Sequence, residues 1–154
     1  MRILLRSPLF YFSGVGMKKN GNLFSKYKKE LLAACEKTVR ITDEYQKSLD
    51  TKKDRNSSVS EYYAFSEKLS LCVSLANSTA EKISEQILEA DNLNDFKAKD
   101  DLNKLLEQYI YYRMYVEAFL KTAEEAKSSA DLLRVLNHEA DILARKIIAV
   151  SREI

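Results

Sequence analysis

At 154 residues, with 45% hydrophobic and 31% charged residues, the chain is sized and composed for one folded domain, which excludes two ordinary domains in tandem and excludes intrinsic disorder. Its only proline is Pro8 and its only glycines are Gly14, Gly16 and Gly21, so an all-β or α/β fold, which needs turn breakers roughly every ten residues, is excluded too. The formal net charge of +2 is unevenly divided: residues 1–29 carry seven basic residues and no acidic one, whereas residues 30–154 carry 18 basic against 23 acidic, a net of −5.

Residues 1–21 are therefore expected to form a basic, mostly irregular tail ahead of a helical domain over 22–154. The apolar stretch at the start of the tail is interrupted by Arg6 and is too short to span a bilayer. Its arginines, serines and lack of acid resemble an organellar transit peptide, while Met17 followed by Lys18 and Lys19 reads as an alternative translation start. The second reading is favoured and places the protein in the cytoplasm, the first in an organelle. An acidic body repels phosphate, so contact with nucleic acid or an anionic membrane is expected only through the tail, where Phe10, Tyr11 and Phe12 add aromatic character.

The first helix is expected over 24–48, because Phe24, Tyr27, Leu31, Ala34, Thr38, Ile41, Tyr45 and Ser48 recur at spacings of three and four. The polar cluster at 50–56 (DTKKDRN) supplies the turn that a glycine supplies elsewhere. Ser58 followed three residues later by Glu61 has the form of a capping box and marks the start of the second helix. Its seam is Val59, Tyr62, Ser66, Leu69, Val73, Ala76, Ala80, Ile83, Ile87 and Ala90, and residues 91–94 (DNLN) then read as a turn.

The third helix begins near Asp95, with Leu102, Leu105, Tyr109, Tyr112, Val116, Phe119, Ala123 and Ala126 in one register. Continued past residue 126, that register runs through Asn137, Ala144 and Ser151, whereas a shifted set, Leu133, Leu136, Ala140, Leu143, Ile147, Val150 and Ile154, is far more apolar. A stutter in one long helix would shift the phase, but Ser128 and Ser129 ahead of Asp131 have the composition of a new cap, which favours a separate fourth helix. The expected fold is thus all-α: an antiparallel four-helix bundle with helices of roughly 25–33 residues, about 40–50 Å long. The alternative is a three-helix or long-hairpin coiled coil completed by dimerisation. Cys35 and Cys72 lie on the apolar stripes without CxxC spacing, which fits buried thiols in a reducing compartment rather than a metal site or a disulfide.

One constellation has the residue types of an active site. Arg134 and the only histidine, His138, are four residues apart and share one face of the last helix. An arginine followed on a helix by a histidine resembles the nuclease motif of the HEPN family, in which four to six residues separate the two. Here Val135, Leu136 and Asn137 separate them, and one residue fewer turns the histidine by about 100°. The resemblance implies a ribonuclease or toxin in which His138 is the acid/base and Arg134 stabilises phosphate charge, and it is carried as the alternative function. A carboxylate-histidine metal centre is excluded by the single histidine and a phosphate-cradling loop by the lack of any glycine after Gly21, so neither metal, cofactor nor small-molecule substrate is expected.

The run Tyr109-Ile110-Tyr111-Tyr112-Arg113-Met114-Tyr115-Val116 is apolar or aromatic on every side of its helix, so part of it is surplus to an intramolecular seam. Tyr109, Tyr112, Val116 and Phe119 satisfy the seam, which leaves Leu106, Ile110 and Met114 on one flank and Tyr111 and Tyr115 on the other. Tyrosine is over-represented at binding hot spots. The favoured reading is a non-enzymatic helical interaction module or assembly subunit, with these five residues as its contact face and another protein or a second copy as its partner.

Overall fold

The computed structural model describes residues 15–51, 55–126 and 132–154. Among them are four helices and no strand: α1, Val15–Thr51; α2, Arg55–Asn92; α3, Phe96–Ala126; and α4, Leu132–Glu153. Each helix packs along its two sequence neighbours, α4 closes against α1, and the α1/α3 and α2/α4 pairs meet only across the diagonal. The direction alternates, since Tyr45 near the end of α1 stacks on Phe65 near the start of α2, Tyr62 of α2 reaches Leu120 late in α3, and Gln46 of α1 reaches Asn137 early in α4. The fold is the all-α four-helix bundle that the seams imply. Because α3 and α4 pack side by side, they are two helices and not one.

Every residue of the α3 seam is buried, and the shifted α4 seam is buried from Leu136 to Val150, with Leu133 and Ile154 at its ends only partly covered. The buried face is wider than a two-position seam. Cys35 and Cys72 are buried as expected, and Thr42, Leu49, Phe65 and Leu132 are buried too, each one residue off the expected stripe. A helix inside a four-helix bundle touches two adjacent neighbours at once, so its apolar arc exceeds that of a coiled-coil strand. Both cysteines are free thiols, and burial pushes that of Cys35 up to about 12.

Several expected boundaries are corrected. α1 begins at Val15, nine residues before Phe24, and runs through Gly16 and Gly21. α2 begins at Arg55, so Ser58 is inside the helix and does not mark its first turn. With 37 and 38 residues, α1 and α2 are longer than expected, and with 22 residues α4 is shorter. The expected cap at Ser128, Ser129 and Asp131, the middle of the 50–56 cluster, and residues 1–14 lie outside the described residues.

The α2–α3 connection shows how the chain reverses without glycine. Asn94 takes a φ of 59°, the left-handed conformation that asparagine tolerates better than most residues. Its N–H donates to the Asp91 carbonyl at 3.1 Å and that of Asp95 to the Ala90 carbonyl at 2.9 Å, which closes the end of α2 as a Schellman motif. Asp95 then caps α3, its side chain accepting from the Ala98 N–H at 3.2 Å. Lys99 bridges back to Asp91 at 2.7 Å.

Candidate interaction face

The middle of α3 has two opposite environments. On its inner side the tyrosines are structural. Tyr109 is buried and donates its hydroxyl to the Tyr27 carbonyl of α1 at 2.6 Å. Tyr112, wholly buried, shares a 2.7 Å hydrogen bond with the Thr38 hydroxyl, and Thr42 donates to the Thr38 carbonyl one turn on, also at 2.7 Å. These hydrogen bonds let a polar layer sit in the core without the cost of an unpaired hydroxyl. Burial raises the pKa of Tyr45, Tyr109 and Tyr112 well above the usual phenol value. Beside this layer, the Tyr45–Phe65 stack (4.1 Å) meets Phe119 edge-on at 5.4 Å from Phe65.

The outer side carries the five residues expected to make contact, and the structure sorts them into two kinds. Ile110, Tyr111 and Met114 are exposed, at 40%, 38% and 51%. Leu106 and Tyr115 are half-buried against the core at the two edges of the helix. The Tyr115 ring is held between Tyr111, which stacks on it at 6.3 Å, and the Lys146 ammonium of α4, 5.1 Å from its centroid. The exposed part is thus a narrow apolar stripe whose two borders are anchored by the bundle. Arg113, beside it, pairs along the helix with Glu117 at 3.8 Å.

Arg134 and His138 are both exposed on α4, one turn apart. Neither lines a described cleft. The larger cleft, about 530 Å³ between α1 and α4, is bordered by Val39, Arg40, Asp43, Ala144 and Ile148; another, about 360 Å³ between α1 and α2, by Ala33, Ala34, Leu75 and Lys82. Asn137, between Arg134 and His138, is occupied structurally, since Gln46 of α1 donates to its carbonyl at 3.2 Å and its side-chain oxygen at 3.3 Å. Among the described residues no group of three histidine, cysteine or carboxylate side chains is placed to hold a metal ion.

Comparison with protein families, with curated proteins and with solved structures found no match. The surface itself therefore supplies the functional evidence. Among the described residues no helix is long and apolar enough to cross a membrane. A second apolar pair went unnoticed in the sequence: Leu71 and Leu75, one turn apart on α2, are 63% and 68% exposed. Their four-residue spacing on a serine-rich stretch is the signal of a helical face, masked by the Leu69 and Val73 seam beside it.

Proposed function

We propose that the chain is a non-enzymatic helical interaction module whose contact face is the outer side of α3. The observation that supports this reading is the exposed set Ile110, Tyr111 and Met114, contiguous in mid-helix and bordered by Leu106 and Tyr115, which the bundle holds half-buried. Single exposed leucines are ordinary on a protein surface, but a contiguous apolar group with anchored aromatic borders marks a contact site. A rigid aromatic such as Tyr111, already stacked on Tyr115, loses little conformational entropy when a partner covers it.

Placing a photo-reactive phenylalanine analogue at position 111, and separately at Lys47 on the exposed side of α1, tests this in the source cell. A discrete protein adduct is expected from position 111 and none from position 47. No adduct from 111, or equal adducts from both, removes the assignment of the face.

A further inference from the structure

We infer that the partner of the α3 face is a second copy of this chain, packed antiparallel across a two-fold axis through Met114. This rests on the contact face proposed above and adds to it the occupant and the register. The outer side of α3 carries a second seam that the inner seam hides. Glu107, Ile110, Met114, Ala118 and Lys121 follow one another at spacings of three, four, four and three, and all are exposed. The pattern reads the same in both directions from Met114.

A two-fold interface is self-complementary, so residues at equal distances on either side of its centre meet each other's partners. With Met114 on the axis, Ile110 packs on Ala118 of the other copy, a large side chain on a small one. Glu107 meets Lys121 of the other copy, and symmetry makes this pair twice. Within the chain neither Glu107 nor Lys121 forms an ion pair among the described residues, although the neighbouring Lys104 pairs with Asp100 and Arg113 with Glu117. A parallel arrangement would instead set Glu107 against Glu107 and Lys121 against Lys121. Charge therefore selects the antiparallel register. One helix face is small beside a standard interface, so the dimer is weak, with a Kd of about 10–100 µM.

The test uses the full chain. Sedimentation from about 5 to 500 µM should show a monomer passing into a dimer. Only a residue on the axis can bond to its own copy. Helices about 8–10 Å apart bring two such Cα atoms within disulfide range, so Met114→Cys should oxidise to a covalent dimer. Glu107→Cys alone should not, but mixed with Lys121→Cys chains it should give a heterodimer. The wild-type chain, whose two thiols are buried, is the blank. Glu107→Lys or Lys121→Glu alone should weaken the dimer about tenfold, and the double exchange should restore it. A wild-type monomer at the highest concentration, a self-linked Glu107→Cys dimer, or no recovery in the double exchange overturns the inference. A heterologous adduct from position 111 beside a strictly monomeric chain would retain the contact face and reject the second copy; no adduct from position 111 with an intact dimer would put the dimer on another face and overturn both readings.

Discussion

Tyr112 and Tyr111 are adjacent on α3, chemically identical, and put to opposite uses. One is wholly buried with its hydroxyl bonded to Thr38; the other is exposed and stacked on a neighbour. One step along a helix is a turn of about 100°, enough to move a side chain from the core of a bundle to its rim. Residue type thus carries little information in this run, and angular position carries nearly all of it.

The strongest way to break the contrast is to remove the inner side. Phe119→Ala, in the aromatic cluster with Phe65 and Tyr45, should cost about 3–5 kcal/mol through lost burial and the cavity left behind, a large share of the roughly 5–15 kcal/mol that holds a domain of this size. Circular dichroism should show a largely unfolded or molten chain. Alkaline titration separates the two tyrosine populations next. Burial raises the folded-state pKa of Tyr45, Tyr109 and Tyr112, so between the unfolded value near 10 and their folded values the native state binds more protons than the unfolded one. Their contribution is fully present below about pH 10 and is lost as pH rises beyond it, by roughly 1.4 kcal/mol per unit for each tyrosine. Urea melts at pH 8 and 11, followed with phenolate absorbance, should show these rings ionising together with unfolding.

Smaller effects sharpen the comparison within the core. Tyr112→Phe leaves the Thr38 hydroxyl without its partner and should cost about 1 kcal/mol. Tyr45→Phe should be neutral or slightly stabilising, because the buried Tyr45 hydroxyl has no hydrogen-bond partner among the described residues. Thermal melts of the two variants should differ in that order. Least of all, Tyr111→Glu and His138→Ala, both on exposed positions, should change stability by no more than about 0.5 kcal/mol. Tyr111→Glu should nevertheless abolish association in sedimentation, whereas His138→Ala should leave it intact. Total RNA incubated with the wild-type chain should remain whole, and cleavage that His138→Ala removes would transfer the function to α4.

The inner seam of α3 was legible residue by residue, from Leu102 to Ala126, because burial along a straight helix follows a period that sequence displays directly. Leu49 and Phe65 were missed for a geometric reason: the arc covered by two neighbouring helices is wider than a single seam. Ser58 and Glu61 misled because a capping box is a local pattern, and the same residues are tolerated inside a helix whose start lies further upstream. The start of α1 was not legible from its seam, since the helix continues upstream of Phe24 through Gly16 and Gly21, whose cost of about 1 kcal/mol each is small beside the rest of a 37-residue helix. At the proposed contact face, exposure of Ile110 and Met114 follows from their phase. The half-burial of Leu106 and Tyr115 depends on how α2 and α4 lean against α3, which no pattern within α3 records. Ala118 and Lys121 are not legible as contact residues, because neither adds the apolar or aromatic bulk that marks a binding face.

The reversal at Asn94 also bears on how the chain folds in time. Only Leu93, Asn94 and Asp95 separate the last turn of α2 from the first turn of α3, and each end is closed by hydrogen bonds that span no more than five residues. Little loop entropy has to be lost before the two helices meet, and the contacts between them near the turn are among the most local in the molecule. Topologies dominated by such contacts fold quickly. The α2–α3 hairpin is accordingly a local unit onto which the rest of the bundle can condense, and it contains the helix proposed as the contact face.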